Sequence, residues 1–140
     1  MAPYCGLGII LFIGISFVSC DDPRIEITAT DPPVHPIYNM IIQEKDKDVQ
    51  LTCVVENQRE GYDVMWTVLG NGPNASTTQV SRATRSQDAF RWAIDQPSTT
   101  IWRLRVQNVQ VADEGKYTCK VQTTPMNYIE DTRELRVVRK

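Results

Sequence analysis

Asp113-Glu114-Gly115-Lys116-Tyr117-Thr118-Cys119 is the stretch that decides the fold. Gly115 permits a tight turn, and the Tyr117 hydroxyl can bond back to backbone just upstream. Cys119 follows the tyrosine by two positions. Two upstream residues complete the pattern: Cys53, and Trp66 thirteen positions after it. This spacing describes a disulfide between two sheets, with an indole packed on it and a tyrosine bracing the corner. The two cysteines are far apart and form no C-x-x-C pair, so a buried cross-link is preferred over redox or metal chemistry. In such a pattern Asp113 commonly pairs with an arginine at the entry of an earlier strand. Ala89 stands just before Phe90, the expected position, and Arg82, Arg85 and Arg91 are the alternatives.

The front of the chain explains why only two cysteines matter. Residues 7–18 form an uncharged apolar run, short for a bilayer span and suited to the centre of a signal peptide. Val18 and Cys20 are small enough for the −3 and −1 sites. Residues 1–20 therefore read as a signal peptide cleaved before Asp21, leaving residues 21–140 as one domain. No Lys or Arg precedes the run, which departs from the usual pattern. Acylation of Cys20 as in a bacterial lipoprotein fits less well, because Phe17-Val18-Ser19 is a poor match for that site. Cys5 and Cys20 leave with the leader, and Cys53 and Cys119 remain to pair in an oxidising compartment. The bridge closes a loop of about 66 residues, worth roughly 4 kcal/mol on a loop-entropy model.

The rest of the chain alternates apolar and polar residues in short runs separated by turn residues, with no sustained helical period. Pro23–Thr28 starts a strand that Pro32, Pro33 and Pro36 interrupt, and pairing is expected to resume at residues 40–43. Val49, Leu51, Cys53 and Val55 share one face. So do Val64, Trp66 and Val68, then Phe90, Trp92 and Ile94, then Trp102, Leu104 and Val106. Val109 is expected to plug the core. Tyr117, Cys119 and Val121 point inward on the cysteine strand, as do Leu135 and Val137 on the last. Residues 82–88, 95–98 and 123–127 read as connections, and 77–81 as a further strand. Eight or nine such strands predict an all-β, two-sheet antiparallel sandwich of the immunoglobulin type. About nineteen residues, Gly70 to Asp88, fill the interval after the tryptophan strand. That is room for an extra edge strand, so the domain is expected to be variable-like or intermediate.

Composition narrows function. The net charge is −2 with no basic stripe, which argues against nucleic acid. No apolar run follows residue 20, so no transmembrane segment is expected there, and the C-terminal Arg139-Lys140 does not suit a lipid-anchor signal. The single histidine, His35, lies among prolines with no evident partner for a nucleophile. A zinc site would need His35 and both bridge cysteines, which would destroy the disulfide. No enzyme activity, metal, cofactor or small-molecule substrate is expected. Asn74-Ala75-Ser76 is an N-glycosylation acceptor in a turn-rich stretch. Met65, Thr67, Thr118, Lys120 and Gln122 point away from the core on strands that pair with each other. A face with methionine and threonine and few acids is a candidate docking surface, to which Met126 adds an apolar knob.

Two runs carry a narrower resemblance: Trp102-Arg-Leu-Arg-Val-Gln-Asn-Val109, and the cysteine strand leading into Gln122-Thr-Thr-Pro-Met126. Over residues 24–139 the chain resembles the first immunoglobulin domain of lachesin-like and IgLON-like neuronal adhesion proteins. The resemblance implies an extracellular recognition module that binds a like or related immunoglobulin domain. It also implies docking through the sheet holding Trp66 and Cys119, and hence through the face just named. Those relatives have two or three domains and a membrane attachment. This chain is expected to be a secreted single-domain form, a splice product or the N-terminal fragment of a larger adhesion protein. A soluble immune-type receptor or decoy in body fluid is the alternative function.

Overall fold

The computed structural model describes residues 22–139 and, before them, only the backbone pairs Ile9–Ile10 and Ile15–Ser16. The expected leader and its cleavage position otherwise lie outside the described residues. Ten strands build the domain. They are β1 (Arg24–Asp31), β2 (Ile41–Glu44), β3 (Val49–Glu56), β4 (Val64–Gly70), β5 (Thr77–Arg82), β6 (Arg85–Ser86), β7 (Trp92–Ser98), β8 (Ile101–Val106), β9 (Gly115–Thr124) and β10 (Asn127–Val138). One sheet runs β1-β3-β8-β7 and the other β2-β10-β9-β4-β5-β6. Neighbours are antiparallel except β2, which lies parallel to the end of β10.

Period-two burial explains the architecture. β3 alternates buried and half-buried residues from Val49 to Val55, as a strand with one dry face must. Trp102, Leu104 and Val106 on the neighbouring β8 extend that dry face, and Val64, Trp66 and Val68 on β4 with Tyr117, Cys119 and Val121 on β9 meet it across the interior. Val109 is fully buried, as its position predicts. Cys53 on β3 and Cys119 on β9 form the cross-sheet disulfide, with their Cα atoms 6.5 Å apart.

The leading strand changes sheets where the prolines demand it. β1 pairs with β3 as far as Asp31, and after Pro33 the chain moves to β10 as β2. At Ile27, where the β1–β3 register slips, side chains of β10 stand in for a missing ladder. The Ile27 amide donates to Asp131 Oδ2 at 2.8 Å, and Arg133 Nη2 donates to the Ile27 carbonyl at 2.9 Å.

Four expectations are corrected. Phe90 does not face the core and is 96% exposed. Its amide donates to Asp88 Oδ1, and the Trp92 amide to the Asp88 carbonyl, so a turn precedes β7 and throws Phe90 outward. Pro97 does not mark a turn but lies inside β7, an edge strand where a missing N–H costs no ladder bond. Residues 82–88 contain the short strand β6 rather than connection alone. The segment 123–127 is not a loop, because β9 and β10 continue to a tight turn at Pro125-Met126.

Candidate functional site

The corner beneath the candidate face fixes its geometry. Arg91 answers the question left by Ala89: its Nε donates to Asp113 Oδ1 at 2.5 Å, and its guanidinium carbon lies 4.6 Å from the Trp92 ring centre. Asp113 is buried, and its other oxygen accepts from the Gln110 amide at 2.8 Å. The Tyr117 hydroxyl donates to the Asp113 carbonyl at 2.6 Å. Burial, reinforced by the Asp113 charge, pushes the Tyr117 hydroxyl well above its ordinary pKa. Trp66 and Tyr117 are fully buried, so both are scaffold. They set the phase that turns their neighbours outward.

Those neighbours form rows across β5, β4, β9 and β10. Thr67, Thr118 and Thr132 lie side by side in the central row, with the Thr118 and Thr132 hydroxyls 2.8 Å apart. The next row toward the β9–β10 turn holds Met65, Lys120 and Glu130. Beyond it Gln122 faces Tyr128, and Lys120 Nζ sits 5.0 Å from the Tyr128 ring centre. On the other side of the threonines, Leu69, Lys116 and Glu134 form a row. Opposite charges thus lie directly across from each other at Lys120/Glu130 and Lys116/Glu134, which leaves the face without a strong field of either sign.

The structure places Met65, Thr118, Lys120 and Gln122 half-buried on this face. Thr67 belongs to it but is only 7% exposed, so its contact potential is small. Met126 is 88% exposed at the hairpin tip. There Thr124 Oγ1 accepts from the Met126 and Asn127 amides, and Gln122 Nε2 approaches the Pro125 carbonyl at 3.5 Å. Asn74 lies in the exposed β4–β5 turn, at the other end of the sheet.

Sequence reasoning missed Tyr128, the largest exposed side chain on the face, at 54% exposure. The signal existed: counting back by twos from the inward Leu135 gives inward positions 133, 131 and 129, and so an outward Tyr128. Charged Asp131 and Arg133 at two of those inward positions hid the alternation. His35 lies in the β1–β2 connection. It stacks on Tyr38, and its Nδ1 accepts from the Ile37 and Tyr38 amides.

Two sheets pinned by a cystine, a tryptophan over the bridge and a tyrosine at the corner define an immunoglobulin-type domain. The immunoglobulin V-set domain family model matches residues 41–138, and the chain belongs to that family. The edge strands β5 and β6 are what the longer interval between β4 and β7 contains. A search of curated proteins returns no match. Among solved structures, the chain is similar to the RIG-5 IG1 homodimer at 21% identity and TM-score 0.64, covering 84% of this chain and 99% of that one. It is similar to Dpr1 IG1 bound to DIP-eta IG1 at 22% identity and TM-score 0.61, covering 84% and 96%. The ZIG-8 IG1 homodimer gives 17% identity and TM-score 0.56, with 84% and 86% covered. At these identities the likeness concerns the fold. No helix among the described residues is long and apolar enough to cross a membrane.

Proposed function

We propose that this domain is a non-enzymatic extracellular recognition module. It binds a second immunoglobulin domain through the outer face of β4, β9 and β10. The observation that carries this reading is the composition of that face. Met65, Tyr128 and Met126 offer apolar contact, and threonines and Gln122 offer adaptable hydrogen bonds. The charges are already balanced across the strands, so docking strands no lone charge in the interface. The lachesin-like and IgLON-like resemblance of Gln122–Met126 supports the same face. Solved structures of similar fold described as immunoglobulin-domain homodimers and heterodimers support the same class of partner. The signal-peptide reading of residues 1–20 supports export, with Cys53 and Cys119 as the cysteines of the mature chain.

The test is a binding screen of the full chain, secreted from eukaryotic cells, against extracellular immunoglobulin domains of the same organism, itself included. Any pair found is then measured with Met65→Glu and with Lys120→Glu. Each variant is expected to weaken binding more than tenfold, that is by about 1.4 kcal/mol or more, because each introduces an unpaired acid into the contact. Unchanged affinity in both variants places the contact elsewhere on the domain.

A further inference from the structure

We propose that Asn74 carries an N-linked glycan whose role is to shield the open backbone edge of β5. The proposal rests on the exported reading above. Its first support is placement. Residues 71–79 are all exposed, and the Ala75 amide donates to the Gly72 carbonyl at 3.3 Å, closing a turn that projects Asn74 from the sheet. Among the described residues neither the Asn74 amide nor the Ser76 hydroxyl is engaged in a hydrogen bond, so both groups of the acceptor triplet are free for the transferase.

The second support is what stands beside it. β5 is paired along one side by β4, but β6 covers its other side only at Ser81 and Arg82. The Val80 carbonyl is taken by the Gln87 amide. Among the described residues no strand pairs with Thr77-Thr78-Gln79 on their outer side. An open strand edge is a template for another chain, and proteins blunt such edges with charge, proline, bulges or covering groups. The β7 edge of the other sheet has Asp95 and Pro97. The β5 register shifts between Gln79 and Ser81, but Thr77–Gln79 itself has neither charge nor proline, and its two β-branched residues favour strand addition. A glycan rooted three residues before Thr77 covers this edge.

The location spares the end of the recognition face that carries Met126 and Tyr128. β4 and β9 pair Gly70 with Gly115 at one end and Val64 with Val121 at the other. The ten residues of β9 therefore place Asn74 about 30 Å from the β9–β10 tip that bears Met126 and Tyr128.

The experiment expresses the full chain in eukaryotic cells and collects it from the medium. Treatment with peptide-N-glycosidase is expected to shift its mobility by one step. Asn74→Gln and Ser76→Ala are each expected to remove the shift, and Ser76→Thr to keep it. The variants lacking the acceptor are expected to form concentration-dependent higher oligomers on size-exclusion chromatography. Adding Thr78→Lys to Ser76→Ala is expected to restore the monodisperse form, because a charge on the edge does what the glycan did. Secreted protein that shows no shift overturns the proposal and leaves the recognition function standing. A shift with no oligomers in the unglycosylated variants overturns the shielding role. Absence of the chain from the medium overturns the exported reading, and this proposal with it.

Discussion

At Tyr117 one hydroxyl joins the core to the corner. It is buried, donates to the Asp113 carbonyl at 2.6 Å, and holds that backbone while Asp113 grips Arg91. Tyr117→Phe keeps the ring but leaves a buried carbonyl short of a donor, and is expected to cost about 1–2 kcal/mol in chemical denaturation. The hydroxyl also sets an alkaline limit. Its pKa is raised in the folded state above the ordinary value of 10.0, so the folded chain holds this proton more tightly than the unfolded one. Stability from this group is complete below pH 10 and falls as pH rises above it. Denaturation midpoints followed from neutral pH to beyond 10 are expected to fall in the wild type and to fall less in Tyr117→Phe. Gly115, two residues earlier, has φ +153, and a Cβ there would collide with the Leu69 carbonyl oxygen and reach within 3.0 Å of Gly70 Cα. Gly115→Ala must push β4 and β9 apart where they begin to pair, and a loss of about 2 kcal/mol or more is expected from the same denaturation measurement. The sequence suggests a turn role for this glycine, but Gly115 is the first residue of β9. What the structure shows is the close passage of β4, a strand far away in the chain.

Among the elements, β10 shows what a sequence reveals and what it conceals. Leu135 and Val137 announce its inward phase, and both are buried. Earlier in the strand the same phase falls on Asp131 and Arg133, where the alternation rule has no apolar residue to find. These two residues face a place that local patterning cannot show, where the β1–β3 register slips after Ile27. Asp131 accepts the Ile27 amide, Arg133 donates to the Ile27 carbonyl, and the pair closes on itself at 2.9 Å. Asp131→Ala removes an acceptor from a half-buried amide and a partner from Arg133, for an expected loss of about 1–2 kcal/mol. Faster hydrogen exchange at the Ile27 amide would locate the damage at this seam, and exchange unchanged from wild type would show that the seam carries no tension between β1 and β10. The cysteine strand was legible for the opposite reason. Each of its alternating residues answers a partner of expected type, so phase, burial and bridge agree. The docking face followed from that phase for β4 and β9 and stopped at β10, where Tyr128 was lost behind the charged seam.

At the scale of the whole molecule, the Cys53–Cys119 disulfide joins the two sheets. Cys53 belongs to the sheet of β1, β3, β8 and β7, and Cys119 to the strand at the centre of the candidate face. Closing a 66-residue separation contributes about 4 kcal/mol by restricting the unfolded chain. Domains of this size have total stabilities of about 5–15 kcal/mol, so the bridge accounts for a large share. Reduction, or the double replacement Cys53→Ala with Cys119→Ala, is expected to lower the thermal midpoint by about 15 °C or more, given roughly 4 °C or more per kcal/mol in a domain of about a hundred residues. The bridge is buried and offers no atom to a partner. Binding by the reduced protein should therefore follow the folded fraction: retained at temperatures where circular dichroism still reports a sandwich, and lost where it does not. Loss of binding in a reduced but fully folded sample would mean that the disulfide shapes the face directly. It would then be more than the pin that holds β3 against β9 beneath the candidate face of Met65, Lys120 and Tyr128.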